Sequence, residues 1–64
     1  MSQLNQIRSH LDRGRTLTPL EALTLFGCMR LAARAAELRE QGYPVETTMV
    51  KRNGKRVAMY WRSK

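Results

Sequence analysis

Asn53-Gly54, set between the runs Val45–Arg52 and Lys55–Arg62, constrains this chain more tightly than any other pair of its residues. A two-residue connection of this kind closes a type I′ turn, in which both residues take positive φ, and it joins two antiparallel strands. The turn also sets the register, so that Val50 opposes Val57, Thr48 opposes Met59 and Glu46 opposes Trp61 on one face. Met49 with Ala58 and Thr47 with Tyr60 lie on the other. Each face holds apolar groups, so the pattern leaves open which one covers a core. The tip is cationic in either case, through Lys51, Arg52, Lys55 and Arg56.

Upstream of the hairpin the periodicity changes from two to that of a helix. Leu4, Ile7 and Leu11 repeat along one face of a helix over about 2–13, and Gly14 is placed to end it. Gly14-Arg15-Thr16 then reads as a short connector. Thr18-Pro19-Leu20-Glu21 opens a second helix, over about 19–26, with the residues of a capping box and a proline at its first position. Leu20, Leu23 and Phe26 supply its apolar face, Ala22 is a close-packing spot, and Gly27 ends it. A helix of this length is marginal alone and must be held by its neighbours. The third helix, over about 29–41, is rich in strong helix formers; Leu31, Ala35 and Leu38 face inward and Arg30, Arg34, Glu37 and Gln41 line the opposite side. Gly42 and Pro44 turn the chain into the hairpin, over about 45–62.

Bulk properties narrow what such an arrangement can do. Sixty-four residues form one small domain, with little room for a deep cofactor pocket. One cysteine cannot staple the fold, and no Cys/His spacing builds a zinc site, so no metal and no cofactor are expected. A lone reduced thiol and an N-terminus Met1-Ser2-Gln3-Leu4 without a charged lead or an apolar run suit a cytoplasmic protein. No apolar run is long enough for a bilayer, so no membrane association is expected. The net charge of +7 points to a polyanion. Its distribution sharpens that reading: residues 51–64 hold six of the twelve cations and none of the five acids.

Two short helices joined at Gly27 have the spacing of a helix-turn-helix, whose close crossing needs small or apolar residues. The positions that such a crossing selects are Ala22, Phe26, Cys28, Ala33 and Ala36, all apolar or small. The core face marked by Leu31, Ala35 and Leu38 is rotated from that one, and the larger side chains are the stronger guide. With the basic hairpin the whole plan is α+β: three helices followed by a two-stranded β-hairpin, a winged helix-turn-helix. Thr18–Leu23, Phe26-Gly27, Arg34, Leu38-Arg39, Gly42-Tyr43-Pro44 and Gly54–Tyr60 also resemble the small winged helix-turn-helix proteins common in phages and prophages. The resemblance covers nearly the whole chain and implies double-stranded DNA as the partner.

On that reading the third helix enters a major groove. Arg30 and Arg34 are its candidate base-edge or phosphate contacts, arginine being the commonest bidentate partner of guanine. Lys51, Arg52, Lys55 and Arg56 would ride the hairpin tip onto phosphates or into a minor groove. Thr16 and Thr18 offer hydroxyl or backbone contacts near a helix N-terminus. Against these stand plainer readings: Arg34 beside Glu37 as a surface pair, and hairpin lysines as guards against edge aggregation. Cys28 reads as a buried apolar residue, His10 as a surface or half-buried one, Tyr60 and Trp61 as core or dimer contacts, and the methionines as core and hairpin filler. No acid pair, nucleophile–base pair or metal set suggests an enzyme, and no small-molecule site is evident. The leading expectation is a phage-type regulator or architectural factor. The competing ones are a protein-interaction module aimed at a host factor and a binder of structured RNA. So small a footprint also makes a homodimer an expected way to gain specificity.

Overall fold

The computed structural model describes residues 2–63 and contains, in order, α1 (Gln3–Asp12), α2 (Pro19–Phe26), α3 (Leu31–Glu40), β1 (Val45–Arg52) and β2 (Lys55–Arg62). The strands form an antiparallel hairpin that follows the three helices, as the winged plan requires. Its register matches the turn-based expectation at every pair, from Val50 opposite Val57 to Glu46 opposite Trp61. Asn53 and Gly54 both have positive φ, 53° and 77°, which is what the type I′ turn demands.

The core draws on every element. Ile7 and Leu11 of α1, Ala22 of α2, Leu31, Ala35 and Leu38 of α3, and Val45 and Tyr60 of the hairpin are all buried together, with Cys28 and Tyr43 from the connections. Tyr60 settles the hairpin's orientation: its face, which includes Ala58, meets the core, and only near the base. Farther out on that face Met49 is 56% exposed, so the distal part of the hairpin stands clear of the helices. Trp61 lies on the opposite face, half-buried, where its indole N–H donates to Thr48 Oγ1 at 2.9 Å. It is therefore Tyr60 and not Trp61 that packs in the core. Met29 also departs from expectation, being 86% exposed and outside the hairpin.

α2 begins as its sequence suggests. Thr18 Oγ1 accepts the Glu21 backbone N–H at 3.2 Å, Glu21 Oε1 accepts the Thr18 N–H at 2.9 Å, and Pro19 occupies the first turn. Its rotation does not follow the leucines. Ala22 is fully buried and Phe26 packs against the core, while Leu20 and Leu23 are 71% and 47% exposed. The reason is steric: the small side chain of Ala22 lets the helix approach the core closely. Gly27, at φ 65°, then reverses the chain so that Cys28 tucks inward and its N–H reaches Ala22 O at 3.1 Å. The spacing of a helix-turn-helix crossing thus describes α2 correctly. In α3 the larger side chains do, because Leu31, Ala35 and Leu38 point inward while Ala36 is exposed.

The connector between α1 and α2 is more than a link. Leu17 is fully buried and pairs antiparallel with Tyr60: its N–H donates to Tyr60 O at 2.9 Å, and Tyr60 N–H donates to Leu17 O at 2.8 Å. One residue thereby acts as a third strand on the β2 edge. His10 supports it from α1, with Nε2 2.9 Å from Thr16 O and its ring edge-on to Phe26.

Tyr43 fastens α1 to the hairpin base. Its hydroxyl donates to Asp12 and lies 3.3 Å from Arg8 O, and Asp12 also pairs with Arg62 at 3.1 Å. The guanidinium carbons of Arg8 and Arg62 lie 5.3 and 5.6 Å from the ring centroid. Burial, then the hydrogen bond and negative charge of Asp12, raise the phenol to about 12, against smaller opposing effects of Arg62 and Arg8. The unfolded phenol ionises near 10. The stabilisation from the neutral phenol is thus complete below pH 10 and is lost as the pH climbs through 12. Urea unfolding followed by circular dichroism should show a midpoint falling over that window, and Tyr43→Phe should remove this component of the fall. An equally steep fall in the Phe variant would assign the alkaline sensitivity to other groups.

Candidate nucleic-acid interface

α3 starts at Leu31, two residues later than composition suggests, because Met29 and Arg30 complete the turn from α2. Arg30 is the N-cap residue, at φ −128° and ψ 61°, and no side chain caps the helix. Its own side chain is exposed, just ahead of the helix start. Arg34, one turn further on, is only half exposed and is held to Glu37 at 3.0 Å. The two arginines expected to work together therefore differ: among the described residues Arg30 has no acidic partner at the helix entrance, and Arg34 has one.

The rest of the α3 surface turns away from anions. Its exposed positions include Ala32, Ala36 and Glu40, with Glu37 beside them. Arg39 is already engaged, with Nε donating to Val45 O at 3.0 Å and Nη2 to Thr47 Oγ1 at 2.8 Å. This brace between α3 and β1 fixes the hairpin base against the helix. Sequence patterning missed it, since Arg39 looks like any solvated cation and its partners lie across the Gly42-Tyr43-Pro44 turn.

At the far end of the hairpin Lys51 is directly opposite Arg56, and Arg52 is directly opposite Lys55. Alternation puts the first pair on the Tyr60 side of the sheet and the second pair on the Trp61 side. All four side chains are exposed, and among the described residues only Arg34 and Arg62 form ion pairs with acids. Like charges directly opposite one another destabilise a strand pair. The only acid on the hairpin, Glu46, lies near the other end. The tip therefore concentrates positive potential on both faces at a cost to its own stability.

Thr18 stands apart from the other candidates. It is 6% exposed, and its hydroxyl is used inside the capping box, so the side chain shapes the α2 N-terminus and is not turned outward. Thr16, two residues earlier, is exposed. Cys28 is buried. Among the described residues no cluster of three or more His, Cys, Asp or Glu side chains has the proximity to hold a metal ion. No helix among them is long and apolar enough to cross a membrane.

Three helices, a turn that presents the start of the third, and a hairpin with a cationic tip define a class of fold that binds DNA and is typically not catalytic. A family model described as a winged helix-turn-helix domain matches residues 2–62. The chain belongs to that family. Searches of curated proteins and of solved structures each found no significant match.

Proposed function

We propose that this protein is a small regulator or architectural factor of the kind found in phages and prophages, which binds double-stranded DNA with some preference for sequence. The hairpin tip supplies most of the affinity through phosphate contacts on the backbone or along a minor groove. The first turn of α3, led by Arg30, enters the adjacent major groove. Arg34 serves as a second contact once an incoming phosphate or guanine competes with Glu37. The observation that carries the reading is the hairpin tip: four exposed cations, opposed like to like, with no acid near them. Such an arrangement is unfavourable alone and is relieved when phosphates come between the charges.

Fluorescence anisotropy of labelled duplexes across a salt series tests this directly. DNA flanking the protein's own gene, random duplex DNA and duplex RNA serve as competitors. The expected result is tighter binding to one DNA than to the others, with a log–log salt slope of about −4, as four or five neutralised phosphates require. Absence of duplex binding even at low salt would overturn the reading and move the partner to an acidic protein surface.

A further inference from the structure

We infer that the free edge of β1, from Thr47 to Lys51, is a docking site for an extended acidic peptide of a partner protein, which adds to the hairpin as a further strand. The Leu17 pairing shows which way the backbone groups face. Tyr60 directs both its N–H and its C=O to Leu17, away from β1. Its cross-strand neighbour Thr47 therefore directs its own N–H and C=O outward on the other side, and alternation does the same for Met49 and Lys51. All three residues are exposed, and among the described residues no backbone hydrogen bond from outside the hairpin reaches them. Leu17 covers part of the β2 edge, whereas the β1 edge is engaged only at Val45, whose carbonyl accepts from Arg39. Such a row of outward donors and acceptors is a template for another strand.

Charge and side-chain order select the occupant. On the Tyr60 side of the sheet the edge presents Lys51, then Met49, which is 56% exposed, then Thr47, whose hydroxyl accepts from Arg39 at 2.8 Å. A cation thus stands at each end of an exposed hydrophobe. Arg52 adds another on the opposite face, and Glu46, the one acid of the hairpin, lies beyond this stretch. An added strand sets alternate side chains along each face. The complementary pattern is therefore acid, apolar, acid at every second position, with a further acid against Arg52. A second copy lacks that pattern: paired antiparallel about Met49, its Lys51 falls against Thr47, beside Arg39. A lysine on an edge turns away basic strands and admits acidic ones.

A fluorescein-labelled peptide, Asp-Glu-Val-Ile-Thr-Glu, sets its acids against Arg52, Lys51 and Thr47 when it runs antiparallel to β1. Its anisotropy, titrated with the full chain at about 0.15 M salt, reads this edge independently of any DNA activity. The expected result is saturable binding, with the amides of Thr47, Met49 and Lys51 gaining protection from hydrogen exchange. Met49→Pro removes one outward N–H and no bond between β1 and β2, so the variant should keep its circular dichroism and bind about tenfold more weakly. Met49→Leu keeps the N–H and an apolar side chain and should bind like the parent. N-methylation of the peptide's isoleucine should weaken binding to the unchanged protein as Met49→Pro does. Binding that survives both Met49→Pro and N-methylation is mere attraction to the cationic tip and overturns the proposal. So does an absence of binding. A chain that by itself doubles its mass from 7.4 kDa, and loses that association with Met49→Pro, also overturns it, because the occupant is then a second copy.

Discussion

Replacing Lys51, Arg52, Lys55 and Arg56 together by glutamine should reduce the salt slope of duplex binding by about three to four units, since each phosphate contact contributes about 0.9. At moderate salt the affinity should fall by about a hundredfold or more, to a similar degree for every DNA sequence. Two further consequences separate this outcome from simple damage. The variant should be at least as stable as the parent, because it loses the repulsion between Lys51 and Arg56 and between Arg52 and Lys55. Whatever binding remains should keep its sequence preference, since Arg30 and Arg34 are untouched. Arg30→Ala gives the contrasting pattern: a smaller loss of affinity, concentrated on the preferred site. If the four-glutamine protein bound duplex DNA as tightly as before, the hairpin could not be the principal phosphate contact.

Leu17→Ala should be the most damaging single substitution in the connector. Leu17 is completely buried, and truncation of a buried leucine costs about 2–5 kcal/mol. A domain of this size has only about 3–10 kcal/mol in total. A fall in Tm of about 10–20 °C or more is therefore expected. Thr16→Ala, one position earlier and exposed, should change stability by less than about 0.5 kcal/mol. A thermal melt of the two variants beside the parent decides the matter: similar melting of all three would mean that burial of the Leu17 side chain contributes little to stability.

Features governed by neighbouring residues were legible before any coordinates. The Asn53-Gly54 turn, the hairpin register and the capping box at Thr18 depend on a few adjacent positions, and each formed as the local chemistry demanded. Leu17 was not legible, because a single buried residue between two threonines has no period to reveal it. The rotation of α2 was misjudged for a related reason. The leucines outweigh Ala22 in hydrophobicity, yet the helix crossing selects the smaller residue and leaves Leu20 and Leu23 exposed. Tyr43 with Asp12 and Arg62, and Arg39 with Val45 and Thr47, are brought together only by the fold.

The candidate interface divides in the same way. The cationic tip could be located from sequence, since a tight turn dictates where its neighbours go. The unequal standing of Arg30 and Arg34 could not, because it depends on where α3 begins and on the rotamer that joins Arg34 to Glu37. At Thr18 the capping role was legible, but not that it would leave the side chain buried with its hydroxyl committed to the helix start.

The hairpin base is tied in three places: to the connector through Leu17, to α3 through Arg39, and to α1 through Arg62. Among the described residues its tip has no such hydrogen bond or ion pair to the helices. On the DNA-binding reading, the protein meets a duplex like a caliper, with one jaw set by the α3 entrance and the other compliant only at its end. The span between the jaws is a property of the fold, established before any encounter. Duplexes whose grooves must widen or narrow to fit that span incur a deformation energy, and stiff and flexible base steps differ in how large it is. Selectivity can then arise at base pairs that no side chain touches, measured by the gap between two elements and not by any letter of the sequence.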